Sequence, residues 1–200
     1  MIKNVIFDLG GVLFDWDPRY IYRDLLQTEA EVNHFLENIC TNDWNKEQDA
    51  GRPLAEGTRI LTEQYPEHAE LISHYYGDWP KSLKGEITGT INILNQLKRR
   101  NFNLYALTNW SAETFVYAKD NYAFLNDFID IVVSGTEKCV KPDAKVYQIL
   151  LDRNHIIANE SLFIDDRQEN VDTALALGMQ GVTFKSPEKL REQLETLALI

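Results

Sequence analysis

Four short segments carry the residues of this chain that could do chemistry. The apolar run VIF ends in Asp8, and Leu9, Gly10 and Gly11 come immediately after it. The run NLYAL ends in Thr108-Asn109, a third apolar segment is followed by Lys141-Pro142-Asp143, and SLFI ends in Asp165-Asp166. An acid that ends a strand just before a glycine pair sits where the backbone can turn tightly and close around a phosphate or a metal. Two adjacent acids ending an apolar strand are costly without a cation, and such hard oxygen donors favour Mg2+. Together the segments offer a nucleophilic carboxylate, a hydroxyl, an ammonium and a carboxylate pair. The four histidines show no metal-ligand spacing, which disfavours zinc.

These segments need a scaffold that brings them to one place. Residues 2–8 read as a buried strand, and residues 103–108, 130–133, 161–165 and 180–184 read as further strands. Helical patterns lie between them at 88–99, 112–121, 143–153, 168–177 and 187–198. Alternation of this kind predicts parallel strands joined by right-handed crossovers, hence an α/β, Rossmann-like, doubly wound sheet of about five strands. Ligands bind such sheets at the carboxyl ends of the strands, where all four segments fall. From about Trp16 to Leu83 the pattern is helical, which predicts an all-helical insert. The domains expected are a core of residues 1–15 and 85–200 and an insert of residues 16–84. The stretch from Asn42 to Leu54 breaks the helical periodicity, with Gly51 and Pro53 marking a loop.

The composition, 44% apolar and 26% charged, suits a globular chain with a sizeable core. A net charge of −11 argues against nonspecific binding of nucleic acid or an anionic membrane surface. No signal peptide and no membrane-spanning run is expected. Cys40 and Cys139 form no motif and read as small buried residues in a reducing, cytoplasmic setting.

The four segments, in this order and with an insert between the first and second, resemble the haloacid dehalogenase superfamily, in particular its phosphatases with a helical cap. FDLGG and FIDDRQEN further resemble the bacterial alpha-D-glucose-1-phosphate phosphatase subgroup. The resemblance implies that Asp8 takes the phosphoryl group as an aspartyl-phosphate. It implies that Gly11, Thr108, Asn109 and Lys141 contact the phosphoryl group, with Lys141 also screening Asp8. Mg2+ would be held by Asp8, the Gly10 carbonyl, Asp166 directly and Asp165 through water. Asn170 would orient a ligand or water, and Tyr147, six residues after Lys141, accompanies the Lys-Pro pair.

Phosphatases of this family carry a second Asp two residues after the nucleophile, where this chain has Gly10. That acid protonates the leaving group and then activates water, help worth about 10²–10⁴ in rate. Its absence favours substrates with good leaving groups, such as anomeric sugar phosphates or acyl phosphates. Asp15, seven residues after Asp8, is a candidate substitute, although a hinge or capping role suits it better. The segment LTNWS resembles the metal-independent 2-haloacid dehalogenase branch, but that branch has small neutral residues in place of Asp165-Asp166. A third reading is a catalytically weak phosphoryl-binding or regulatory protein. In the insert, Asp49-Ala50-Gly51-Arg52 is the expected substrate-selecting loop, with Arg52 placed to reach a phosphate or sugar hydroxyl. Trp16 and Trp110 flank the first two motifs and suit a pocket wall or a hinge. Tyr76 and Trp79 read as core or edge of the insert.

Overall fold

In the computed structural model, which describes residues 1–200, β1 (Asn4–Phe7) occupies the centre of a five-stranded parallel sheet. β4 (Asn103–Thr108) and β5 (Asp130–Val133) extend it on one side, and β6 (Ser161–Asp165) and β7 (Gln180–Thr183) on the other. All four pairings are parallel. The NVIF run is apolar on both faces because helices cover both. Val5 and Phe7 pack with Ile93, Leu94 and Leu97 of α6 (Thr88–Arg99), Ala118 of α7 (Ala112–Asn121), and Leu190 and Leu194 of α11 (Pro187–Thr196). Ile6 points the other way, as strand alternation requires, onto Val146, Tyr147 and Leu150 of α9 (Ala144–Arg153) and Val171 and Ala174 of α10 (Gln168–Ala176). The chain leaves β1 for one side of the sheet and returns to the other through β6. The crevice of a doubly wound fold therefore opens at the carboxyl ends of β1, β4 and β6.

Side-chain caps start the helices close to where the strands stop. Ser111 accepts from the Glu113 N–H at the head of α7, and Asp143 accepts from the Lys145 N–H at the head of α9. The Ser111 cap keeps the loop after β4 short, and the Asp143 cap ends the longer segment that follows β5.

The insert hangs from two strands that the helical reading of residues 16–83 did not anticipate. β2 (Phe14–Trp16) pairs antiparallel with β3 (Leu83–Glu86). Three residues are too few to show alternation, so pattern alone could not separate β2 from the helical segment beyond it. Between these strands lie α1 (Arg19–Tyr22), α2 (Glu29–Asn38), α3 (Asn42–Asp49), α4 (Leu54–Gln64) and α5 (Ala69–Gly77). They close on their own core of Ile21, Tyr22, Val32, Phe35, Trp44, Leu61, Ile72 and Tyr75.

The stretch expected to be a loop is largely α3, capped by the Thr41 hydroxyl accepting from the Trp44 N–H. Its buried residues are Trp44, Asn45 and Gln48, so its inward face is mostly polar and leaves no apolar stripe for periodicity to report. The turn itself is confined to Ala50–Pro53, where Gly51 adopts φ 99°.

Gly135, in α8 (Ser134–Glu137), lets the core backbone close up behind Trp110. A Cβ there would lie 2.5 Å from the Ala112 nitrogen and 2.8 Å from the Trp110 carbonyl oxygen, both backbone atoms. Gly135→Ala is expected to lower the urea midpoint by the equivalent of about 1–3 kcal/mol. Gly10→Ala, with nothing within 4 Å of its Cβ, is expected to leave that midpoint nearly unchanged.

Candidate active site

The loop after β5 drives the Lys141 side chain under the sheet edge, where the residue is 2% exposed. Its ammonium has three donors and finds three acceptors: the Leu107 carbonyl at 2.9 Å, Asp165 Oδ2 at 2.7 Å and Asp8 Oδ1 at 2.9 Å. Burial alone would lower the proton affinity of this amine. The charges of Asp8 and Asp165 outweigh burial and raise its pKa above the ordinary value. The lysine is thus a fixed cation that joins the ends of β1, β4 and β6.

Asp8 also accepts from the Leu9 N–H at 2.7 Å, again on Oδ1. Its Oδ2 carries neither of these bonds. Burial pushes the Asp8 carboxyl up to about 7; Lys141 opposes the shift, while Asp165 and Asp166 add to it. Asp165 is fully buried and saturated, with Oδ2 on Lys141 and Oδ1 accepting from the Arg167 N–H and from Asn170 Nδ2, each at 2.9 Å. Asp166 opens to the cavity, yet loss of surrounding water, reinforced by the charge of Asp165, still raises its carboxyl pKa. Ligand oxygens of Asp8, Asp165 and Asp166 lie within 4.8 Å of one another. The buried Asn170 Oδ1 has no hydrogen-bond partner, and Tyr147 holds this residue in place by donating to the Asn170 carbonyl at 2.9 Å. Gly11 is required here: at φ 73°, a Cβ would fall 2.8 Å from Asp166 Oδ2.

A cavity of about 520 Å³ lies between the sheet edge and the insert. From the core it is lined by Asp8, Gly10, Gly11, Asn109, Lys141 and Asp166, and from the insert by Asn45, Asp49 and Tyr76, among others. Asn109 does more than offer a backbone N–H. Its amide clamps the Lys141 backbone, with Nδ2 donating to the carbonyl at 3.0 Å and Oδ1 accepting from the N–H at 2.8 Å.

Thr108 ends β4 at 1% exposure and is not part of the cavity wall. Arg52 is also absent from the wall. Its guanidinium turns back into the insert, Nε donating to Gln48 Oε1 at 2.5 Å and Nη2 to the Trp44 carbonyl at 3.3 Å. Asp15 accepts from Tyr20 Oη at 2.9 Å on the hinge strand and lies outside the cavity. Trp16, Trp79 and Trp110 stand on the wall together with Tyr76, so the assignment of Tyr76 and Trp79 to core or edge alone was incomplete. Asn45 was missed. The signal was its position four residues before Asp49, one helical turn away, hidden because α3 was read as loop.

The sheet order, with acids and a lysine at its carboxyl edge under a helical insert, defines the class: a doubly wound α/β protein with its site at the strand ends. The chain belongs to the haloacid dehalogenase-like hydrolase family, whose model matches residues 5–184. It is 27% identical over 180 residues to a sesquiterpene phosphatase of Aspergillus oryzae, covering 90% of this chain and 88% of that protein. It is 25% identical over 207 residues to a D-ribitol-5-phosphate phosphatase of Bacteroides thetaiotaomicron, covering 100% and 98%. Among solved structures it is similar to a family enzyme of Bacteroides thetaiotaomicron in complex with magnesium and inorganic phosphate. That likeness has a TM-score of 0.75 and 23% identity, covering 93% of this chain and 96% of the other. It is also similar in fold to the L-2-haloacid dehalogenase of Xanthobacter autotrophicus, at TM-score 0.65 and 17% identity, covering 98% and 83%.

Removing the lysine strands two buried carboxylates. Lys141→Met is expected to cost about 3–5 kcal/mol in urea unfolding at neutral pH. Protons should matter too. Asp8 titrates near 7 when folded against an ordinary 3.8, so between those values the folded state holds a proton that the unfolded chain has lost. Metal-free protein should therefore lose stability as pH rises from about 4 to about 7. Thermal midpoints at about pH 5 and about pH 8 in EDTA should show this loss, and Mg2+ should narrow the gap. Asp166→Asn should weaken the effect of Mg2+.

Proposed function

We propose that the protein is a Mg2+-dependent phosphatase that hydrolyses a small phosphorylated metabolite, a sugar or polyol phosphate, through an aspartyl-phosphate on Asp8. The observation that carries this reading is the charge balance of the site. With all three clustered carboxylates ionised, the one buried ammonium leaves two negative charges in excess, and burial of Asp8 and Asp166 against that charge raises both of their pKa values. A divalent cation cancels them, and an anionic phosphoryl group can then enter. A metal-independent dehalogenase would gain nothing from Asp166.

Asp8, Asp166 and the Gly10 carbonyl would hold Mg2+. The unpartnered Asn170 Oδ1 is a further oxygen at the site. Asp165, saturated by three donors, serves as the anchor that orients Lys141 and Asn170. When bound, Mg2+ supplies charge neutralisation and keeps Asp8 deprotonated. The chain supplies the rest. Lys141 and the Leu9 N–H fix Asp8 by Oδ1 and leave Oδ2 to attack phosphorus. The backbone N–H of Asn109 is the proposed phosphoryl contact, since that of Gly11 already donates to the Phe14 carbonyl at 2.9 Å. Thr108, buried below the wall, is assigned to supporting Asn109. The cavity is also lined by the polar Asn42, Asn45 and Ser111 and by Trp16, Trp79 and Trp110, a lining suited to a hydroxylated carbon skeleton.

No helix is long and apolar enough to cross a membrane. Both thiols are free and buried, which fits a reducing, cytoplasmic compartment.

Phosphate release should be followed across sugar, polyol and acyl phosphates with Mg2+. Release is expected to vanish in EDTA and in Asp8→Asn. Chloride release from 2-haloacids in EDTA, with no phosphate released in Mg2+, would replace this reading with a dehalogenase. Activity in neither assay would leave a phosphoryl-binding protein.

A further inference from the structure

An alkoxide leaving group needs a proton, and the strand end that carries Asp8 has no spare group to provide one. Gly10 has no side chain, Asp165 is saturated, and Asp166 faces the proposed cation. Asp15 is tied to Tyr20 outside the cavity. On the opposite wall, Lys46 is a cation, Asp43 is exposed, and the Tyr76 hydroxyl donates to Asn45 Oδ1 at 2.8 Å and accepts from Gln48.

Asp49 remains. It lies at the last turn of α3, half-buried on the cavity wall, and no lysine or arginine pairs with it. Asn45 Nδ2 holds its Oδ2 at 3.0 Å. Its backbone is fixed to the core, because the Ser134 hydroxyl donates to the Asp49 carbonyl at 2.6 Å while accepting from the Trp110 N–H at 2.9 Å. Two residues on, Gly51 comes so close to the core that a Cβ would lie 2.9 Å from the Gly135 carbonyl oxygen. The turn that carries Asp49 is thus fixed to the core, and its side chain, held by Asn45, lines the same cavity as Asp8.

We propose that Asp49 is the general acid and base of this hydrolase, supplied from the insert instead of from the strand that carries the nucleophile. The assignment rests on the phosphatase reading above. As Asp8 Oδ2 bonds to phosphorus, the bond to the ester oxygen breaks, and that oxygen takes the electron pair together with the proton of Asp49. Water then attacks phosphorus and passes a proton to the Asp49 carboxylate. The bond to Asp8 breaks, inorganic phosphate leaves, and Asp49 is again protonated. Burial pushes the Asp49 carboxyl up to about 7, opposed by the nearby Ser111 backbone, so both forms are accessible near neutral pH.

Rapid-quench measurement of the first turnover, with Mg2+, isolates release of the leaving group. Wild type should be compared with Asp49→Asn and Asp49→Ala on an alkyl phosphate and on p-nitrophenyl phosphate. Loss of the acid should slow the alkyl ester by about 10²–10⁴ and the nitrophenyl ester by less than about tenfold. Ser134→Ala, which loosens the same turn while sparing the carboxyl, should slow both esters by a similar factor. Equal losses for both esters in the Asp49 variants, or no loss, would overturn the assignment. No first turnover by wild type on either ester would overturn the phosphatase reading itself.

Discussion

The Lys141 ammonium, placed between Asp8 and Asp165, is the interaction on which the rest of the site depends. Two carboxylates and a carbonyl satisfy its three protons at the buried floor of the cavity. A buried ion pair of this kind is a weak source of stability, because removing the charges from water offsets most of their attraction. Its value here is positional. The three acceptors lie at the ends of three different strands, so the charge is satisfied only when β1, β4 and β6 end side by side. The arrangement that satisfies Lys141 also orients Asp8 Oδ2 and leaves the acids with an unbalanced charge.

A second constraint joins the insert to that edge. The Ser134 hydroxyl connects the Trp110 N–H, in the loop after β4, to the Asp49 carbonyl at the end of α3. A few residues on, Glu113 accepts from the Leu54 N–H across the same seam. The cavity wall is thus held by backbone-directed bonds at one turn of the insert, while the rest of the insert is organised around its own aromatic core.

Replacing an acid beside the nucleophile with glycine changes where a proton can come from. Asp8 is anchored and its neighbouring acids are committed, so the protonatable group must come from the other side of the cavity. Asp49 meets that condition because it is poorly hydrated and unpaired by any cation.

Much of the fold was legible in the sequence because parallel strands buried on both faces are written as unbroken apolar runs. NVIF and SLFID announce themselves, and an acid at the end of each marks the functional edge. The convergence of Asp8 and Asp165-Asp166 followed from topology, since every strand of such a sheet presents its carboxyl end to one side; Lys141 is delivered by the segment beyond α8. The remainder was decided by tertiary structure. α3 has a polar buried face that no hydrophobic pattern reports, and β2 is too short to show alternation. Arg52 was expected in the pocket, but its guanidinium direction depends on Gln48 and the Trp44 carbonyl, which become neighbours only when α3 has formed. Strand position and residue type are carried by the local chain. The aim of a side chain across a cavity depends on which acceptors long-range packing brings within reach, and residue types alone do not encode that.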